Sequence, residues 1–171
     1  MGSVDFMKNK LTGCLYMDKQ YFAINLPSTN WDDASPLQEV EHWQPLKRRL
    51  LVEKLARYFK REGHYDFIPY LASEPHKKNV VFLWLGEHMD WDSSKAVAYG
   101  AIEFEPCNYT NLIEKGCEWQ LAWVWFHPYM RNRGHLSAAW DYFLERFGNF
   151  WVTRPLSSDM KKFLETHASM N

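Results

Sequence analysis

The stretch that decides the fold runs from Glu118 to Gly148 and reads EWQLAWVWFHPYMRNRGHLSAAWDYFLERFG. It begins with an apolar run of strand character over 119–126 and breaks at Pro128. A short basic segment with one glycine, 131–134, then leads into an amphipathic helix. The first turn of a helix carries backbone N–H groups without a partner inside the helix, and the helix dipole favours negative charge there. Strand, basic turn and helix start together predict an anion site suited to a phosphate-bearing ligand.

Periodicity outside this stretch predicts a mixed order of strands and helices. Leucines at helical spacing predict a helix from about Pro45 to Arg61, closed by Gly63. Further predicted elements are strands around a turn over 13–26, a loop over 27–36, a short helix or loop over 65–71, strands over 79–85 and 95–105 joined by a hairpin loop over 86–94, a polar connection over 106–116, a strand over 150–153, and a last helix over 159–167 capped by Ser157 or Ser158. Antiparallel strands followed by strand–helix–strand–helix predict an α/β (mixed α+β) domain with a partly parallel crossover at its end, spanning 1–171 as a single domain.

Composition and charge disfavour a nucleic-acid-binding protein and a membrane protein. Of 171 residues, 46% are hydrophobic and 24% are charged, which is ordinary for a folded soluble domain. The 20 basic and 21 acidic residues give a net charge of −1, which disfavours nucleic-acid binding through bulk charge. No apolar stretch approaches the ~18 residues needed to span a membrane, and charged residues interrupt the start of the chain, so neither a membrane span nor a signal peptide is predicted.

The cysteines give no sign of a metal site or a disulfide framework. Cys14, Cys107 and Cys117 cannot all pair and carry no CxxC spacing. Free thiols in a reducing compartment are therefore predicted, with a cytoplasmic location and no metal.

The segment from Phe126 to Leu136, FHPYMRNRGHL, resembles the acetyl-CoA signature of the GNAT superfamily of N-acetyltransferases. That signature runs apolar-x-Pro-x-x-Arg-x-x-Gly-x-Gly/Ala between the fourth strand and the following helix. Phe126, Pro128, Arg131 and Gly134 match it, whereas Leu136 departs from the final Gly/Ala. The resemblance extends through the order of elements over about 79–168. It implies a GNAT-like acyl-CoA N-acyltransferase fold, with a central mixed sheet flanked by helices.

The resemblance also implies acetyl-CoA as co-substrate and names the residues that would hold it. Its pyrophosphate would meet the backbone N–H groups of Arg131, Asn132, Arg133, Gly134, His135 and Leu136. Its pantetheine arm would pair as a strand substitute with Val124, Trp125 and Phe126. Ser157 stands where the family has an asparagine that bonds the CoA arm. The alternative is that the basic turn is only a solvated cap of a core helix.

The catalytic half of the resemblance is incomplete. The family's general base is often a glutamate near the middle of the fourth strand. Counting back by twos from Phe126 places Val124, Ala122, Gln120 and Glu118 on one face, so the acidic position holds Gln120 or Ala122. The remaining candidates for the base are Glu118, Glu103 and Glu105, of which Glu118 and Glu103 are preferred.

The end of the chain departs from the family in two ways. The usual proton donor is a tyrosine on the last helix, and Leu164 occupies its position. The family's two final strands are not expected here, since only four residues follow His167 in the sequence. An N-terminal segment or a neighbouring subunit in a homodimer would then complete the acceptor site, or the groove is open to a large acceptor.

The function that the resemblance implies is an acetyl-CoA-dependent N-acetyltransferase, with direct attack of an amine in a ternary complex. The acceptor is an amine-bearing small molecule or a protein or peptide, and acidic segments at 88–92 and 30–33 would attract a cationic one. A CoA-binding but catalytically weak or silent interaction protein is the alternative, and an unrelated α/β binding domain is a third. Trp119, Trp123 and Trp125 are predicted to share the other face of their strand as core residues.

Overall fold

The computed structural model describes residues 28–29, 35–87, 96–113 and 116–168. Its elements in chain order are β1 (Ser28–Thr29), β2 (Leu37–Val40), α1 (Leu46–Gly63), β3 (Val80–Glu87), β4 (Ala96–Pro106), α2 (Thr110–Ile113), β5 (Trp119–Phe126), α3 (His135–Phe147), β6 (Trp151–Val152) and α4 (Ser158–Ala168). A short 3-10 helix, Pro128–Met130, stands between β5 and α3.

The strands form one mixed sheet in the order β2-β3-β4-β5-β6. All neighbours are antiparallel except β5 and β6, which are parallel because the α3 crossover joins them. β1 pairs with β4 at Ala96 and Val97, just past the point where Phe126 ends β5 opposite Gly100. β1 therefore lies in line with β5, on the same side of β4.

Each face of the sheet buries its own hydrophobic cluster. On the α1 face, Val52 and Leu55 pack with Leu83 and the indoles of Trp123 and Trp125. The α3 face holds mostly aromatic rings, which include Phe82, Trp84, Phe104, Phe126, Trp140, Phe143 and Phe147. β4 lies between the two clusters and is buried along most of its length. The aromatic residues thus form the core of the domain on both sides of the sheet.

The predicted first helix is confirmed, but its end differs in detail. Gly63 is the last helical residue, and the left-handed position after the helix belongs to His64 at φ 53°. Gly63 is small for another reason, because a Cβ there would lie 2.2 Å from the ring of Tyr65. Tyr65 folds back over the helix end and stacks on Phe59 at 4.9 Å between ring centroids.

A β-bulge at Ala122 changes the faces of β5. Glu103 pairs with Trp123 and Phe104 pairs with Leu121, so Ala122 has no opposite residue on β4. Gln120 therefore lies on the α1 face, opposite to Val124 and Phe126, and the prediction that these three share a face is wrong. Counting by twos fails here because an extra residue reverses the alternation.

The bulge also separates the tryptophans that were predicted to share a face. Trp123 and Trp125 pack on the α1 face, whereas Trp119 packs on the α3 face against Phe147 at 5.0 Å. Their prediction as core residues is confirmed.

The predicted mixed sheet with flanking helices is confirmed, and the hairpin of 79–85 with 95–105 exists as the antiparallel pair β3–β4. Three elements were missed: β1 at 28–29 within the predicted loop over 27–36, β2 at 37–40, and the short helix α2 within the predicted polar connection. The segment 65–71 is a loop. The strands predicted over 13–26, most of the hairpin loop over 86–94, the acidic segments and Cys14 lie outside the described residues.

Candidate active site

The two parallel strands at the end of the sheet separate early. β5 and β6 pair only through Gln120 with Trp151 and Leu121 with Val152. The Thr153 N–H then donates to the Leu121 carbonyl at 3.0 Å. From Ala122 onward, no strand in the described part of the chain pairs with that side of β5. A slot therefore opens beside the last five residues of β5.

The backbone of β5 presents hydrogen-bonding groups to this slot. The His127 N–H donates to the Tyr99 carbonyl at 2.8 Å, which fixes the alternation of paired residues along the ladder. The N–H and C=O of Trp125 therefore face β4, whereas those of Val124 and Phe126 face the slot. The Phe126 carbonyl accepts a bond from Nε of Arg131 at 3.0 Å. Val124 is left as the residue whose N–H and C=O an extended ligand can pair with.

The turn at the end of the slot contains two residues in the left-handed region. Asn132 and Gly134 both have left-handed conformations, with φ of 55° and 81°. A Cβ added to Gly134 would have no atom within 4 Å, so the glycine is explained by its backbone angle and by the open space in front of it. The Gly134 carbonyl accepts the bond from Ala138 N–H at 2.9 Å, which leaves the first amides of α3 without an intrahelical partner.

Arg131 is held by the protein itself. Its guanidinium makes two bonds of 2.6 Å to the Glu62 carboxylate at the end of α1, and its own N–H donates to the Pro128 carbonyl at 3.3 Å. Glu62 also accepts a bond from the Trp125 indole at 2.8 Å. The bond from Arg131 lowers the pKa of Glu62. Burial raises this pKa, and the bond from Trp125 lowers it further, so that the pKa is lowered overall. The side chain of Arg131 therefore fastens the turn to α1.

The other residues of the turn divide between surface and core. Asn132, Arg133 and Gly134 are exposed, while Leu136 packs partly into the cluster on the α3 face. His135 is buried, with its ring 5.2 Å from Tyr99. Burial, reinforced by the charge of Arg133, lowers the pKa of His135.

Glu103 is the buried carboxylate closest in the sheet to the slot. It lies on β4 opposite Trp123, with 1% of its surface exposed. It accepts a bond from the Asn79 amide at 2.9 Å and another from the Trp123 indole. Burial raises the pKa of Glu103 to about 7. The bonds from Asn79 and Trp123 lower this pKa, and the charge of Glu105 raises it. A carboxylate that titrates near neutrality can accept and release a proton under working conditions.

A second buried polar group accompanies Glu103. Burial and the charge of Glu103 raise the pKa of Tyr70 to about 12, so this phenol keeps its proton. Its hydroxyl is buried and has no hydrogen-bond partner among the described residues. Neither Tyr70 nor Asn79 was singled out from the sequence, because Tyr70 lies in a segment without clear periodicity and Asn79 was predicted only as the first residue of a strand that begins at Val80.

The other predicted base lies in a different environment. Glu118 is exposed and precedes β5, roughly 26 Å along the strand direction from Phe126 at a rise of ~3.3 Å per residue. Gln120 and Glu105, predicted near the base position, bond to each other at 2.5 Å on the α1 face. The structure thus places Glu103 on β4, opposite Trp123 and one strand away from the slot, and leaves Glu118 at the far end of β5.

Ser157 is the cap of α4. Its hydroxyl accepts a bond from the Met160 N–H at 3.2 Å, as the sequence predicted for Ser157 or Ser158. A contact between Ser157 and a CoA arm stays a prediction. Leu164, at the position of the family's tyrosine, packs partly into the cluster on the α3 face.

Three general observations concern metal ions, membranes and thiols. Within the described ranges, no group of three or more His, Cys, Asp or Glu side chains could hold a metal ion. No helix in the same ranges is both long and apolar enough to cross a membrane. Cys107 and Cys117 are free thiols.

Comparison with solved structures found similarity to several acetyltransferases. The xEco2 acetyltransferase domain bound to a CoA conjugate is 14% identical over 78% of this chain and 86% of its own, with a TM-score of 0.50. A ribosomal-protein-alanine N-acetyltransferase from Brucella melitensis biovar Abortus 2308 is 12% identical over 78% and 91%, with a TM-score of 0.48. An aminoglycoside N-acetyltransferase in complex with CoA is 18% identical over 79% and 89%, at a TM-score of 0.35. No protein-family model and no curated protein matches the chain.

The first of these similarities supports the fold and nothing finer, because its identity is far below the level at which function transfers. The chain has the mixed sheet and flanking helices of the GNAT acyl-CoA N-acyltransferase fold. The resemblance found in the segment 126–136 is thereby confirmed at the level of the fold. The activity and the roles of individual residues require a separate argument.

Proposed function

We propose that this protein is an acetyl-CoA-dependent N-acetyltransferase that transfers acetyl to an amine by direct attack in a ternary complex. The observation that carries the proposal is the slot beside β5, which opens where β6 departs and ends at the start of α3. An extended pantetheine arm can pair with the backbone of Val124, while the pyrophosphate meets the turn at 132–136. Both halves of the cofactor thus have a complementary backbone surface.

In the proposed reaction the amine nitrogen attacks the thioester carbonyl carbon and forms the C–N bond. The C–S bond then breaks, and CoA leaves as a thiolate. The surplus proton of the amine needs an acceptor, and Glu103 is the preferred group because its raised pKa matches neutral conditions. Since its side chain is buried, the proton would travel through water between the slot and the α1 face. Glu118 is the second candidate for this role.

The alternative function is a CoA-binding protein that transfers acetyl slowly or not at all. The observation in its favour is that Trp123 and Asn79 hold the Glu103 carboxylate inside the core. The acceptor in the preferred function is an amine-bearing small molecule or a protein or peptide, and a homodimer is compatible with both functions.

The test uses two glycines with matched geometry. Gly134 and Gly116 have φ of 81° and 83°, and an added Cβ would meet no atom within 4 Å at either site. Substitution by Ala should therefore cost each variant about 1 kcal/mol of folding stability. Acetyl-CoA should raise the melting temperature of the wild type and of Gly116→Ala, whereas Gly134→Ala should bind it at least about tenfold more weakly.

Transfer itself is tested by free thiol release when amines and peptides are offered with acetyl-CoA. Thiol release above the acceptor-free rate supports the transferase. A thermal shift without thiol release across polyamines, aminoglycosides, amino acids and lysine peptides would favour the silent alternative. Equal acetyl-CoA affinity in the two glycine variants would refute the site.

A further inference from the structure

Helix α1 is strongly basic, whereas the rest of the chain is acidic overall. Its 18 residues include seven basic and two acidic side chains, although the whole protein has a net charge of −1. Both acidic side chains are committed to other groups. Glu53 bonds Arg57 and the Ala72 N–H, and Glu62 bonds Arg131 and Trp125. The helix therefore presents excess positive charge on its exposed side.

Three of the seven basic side chains line a groove beside the last turns of α1. The groove has a volume of about 530 Å³, and its lining consists of Arg57, Lys60, Arg61, His64, Tyr65 and Ile68. No acidic side chain contributes to that lining. Its size falls in the usual range for sites that hold a small ligand or a few residues of a peptide.

Two cations of the groove lack an acidic partner among the described residues. Lys60 donates to the Asp66 carbonyl at 2.9 Å, which satisfies one N–H bond and leaves the charge unneutralised. Arg61 lies over the ring of Tyr58 at 5.0 Å, again without a carboxylate. Cations at a helix end also interact favourably with the helix dipole, which is the ordinary explanation for them. The helix dipole does not explain the open groove between these two cations.

The groove is also connected to the proposed transfer site. Glu62, next to Arg61 in sequence, bonds the turn and β5 through Arg131 and Trp125. Tyr58, under Arg61, stacks on Trp125 at 5.3 Å. A molecule in the groove would therefore lie beside the end of β5 from which the slot opens.

We propose that this groove binds a carboxylate-bearing segment of the acceptor, so that the acceptor is an acidic peptide with a reactive amine. The inference rests on the proposed transferase function and names its substrate class. The cations make an anionic segment the complementary occupant. A nucleic acid fits less well, because it needs an extended basic track, whereas the remainder of this protein is net acidic.

The experiment measures peptide binding to the full chain with CoA present. The probe is a peptide with a free N-terminal alanine, three glutamates and a C-terminal fluorescein, and its partner has three glutamines instead. Fluorescence anisotropy at low salt should give at least about tenfold tighter binding for the glutamate peptide, with the preference falling as salt rises.

The matched variants are Lys60→Gln/Arg61→Gln in the groove and Lys161→Gln/Lys162→Gln on α4, where both lysines are exposed. The groove variant should lose most of the preference for glutamate, and the α4 variant should keep it. Melting temperatures of both variants verify folding. Preserved preference in the groove variant, or no preference in the wild type, overturns the inference. Equal or better competition by an oligothymidylate of the same charge would also overturn it, in favour of a nucleic-acid surface.

Measurements on the wild type and these variants distinguish a failure of this inference from a failure of the proposed function. An acetyl-CoA thermal shift and thiol release without a glutamate preference would overturn only the acidic acceptor. A glutamate preference without an acetyl-CoA thermal shift would overturn the transferase and with it the role of the groove as an acceptor site.

Discussion

Glu103 is a carboxylate that the fold removes almost completely from water. Its two donors, Asn79 and Trp123, favour the charged form, and burial nevertheless raises its pKa to about 7 from 4.5. Between these pH values the folded state binds more protons than the unfolded state. Protonation of Glu103 therefore stabilises the folded state. This contribution to the free energy of unfolding, about 3 kcal/mol in total, is fully present below about pH 4.5 and is lost as pH rises through 7.

The substitution Glu103→Gln tests this pH dependence. Between about pH 5 and pH 8, the free energy of unfolding of the wild type should fall by about 2–3 kcal/mol relative to the variant. Urea denaturation at several pH values measures the difference. Glu118→Gln, at an exposed site, is the matched substitution and should keep the wild-type dependence. Parallel curves for the wild type and Glu103→Gln would contradict the buried titration.

For single residues such as Glu103 and Arg131, the sequence identified the candidate but not its burial or its partners. Glu103 could be named because it lies near the end of an apolar strand. Its burial could not be predicted, since it depends on the loops that bring Asn79 and Tyr70 to the α1 face. Arg131 was similarly named for its place in the signature, while Glu62 was missed because 69 residues separate it from Arg131.

The contact between the end of α1 and the turn before α3 is the main link between elements at the site. Arg131 and Glu62 form it with side chains that are 29% and 49% exposed, so solvent weakens the pair. We infer that Arg131 positions the turn and leaves the cofactor to the backbone amides. The alternative is that Arg131 turns to contact the pyrophosphate directly.

A double-mutant cycle distinguishes these roles. Arg131→Gln and Glu62→Gln should each cost about 1 kcal/mol of stability, and the double variant should lose less than their sum. If Arg131 positions the turn, both single variants should weaken acetyl-CoA binding to a similar degree, as measured by calorimetry. Arg57→Gln, which breaks an ion pair elsewhere on α1, should leave that affinity unchanged. Tighter binding in Glu62→Gln with weaker binding in Arg131→Gln would show direct contact instead.

β5 shows where prediction of an element succeeded and where it failed. Its bounds were predicted because seven of its eight residues are apolar or aromatic. The bulge at Ala122 was not, since nothing in WQLAWVWF marks which residue is unpaired. The register of β4 decides it, and that register is a property of the assembled sheet.

For the molecule as a whole, the sequence predicted the order of the long elements and the place of the turn between β5 and α3. The short strands β1 and β2 were missed because pairing with longer neighbours stabilises them, and their own composition contributes little. The acidic segments at 88–92 and 30–33, which suggested a cationic acceptor, lie outside the described residues, so that expectation stays a prediction. The acidic acceptor that we propose for the groove on α1 is its competitor.

The early separation of β5 from β6 has a consequence for amide hydrogen exchange. Along β5 the N–H of Trp125 is bonded to β4, whereas that of Val124 faces the slot. Exchange in the free protein should therefore alternate, fast at Val124 and slow at Trp125. A cofactor arm paired with the strand should slow Val124 selectively, which NMR or mass spectrometry can follow with acetyl-CoA added. Unchanged exchange at Val124 under saturating acetyl-CoA would exclude that pairing, so one backbone amide reports whether the slot is filled.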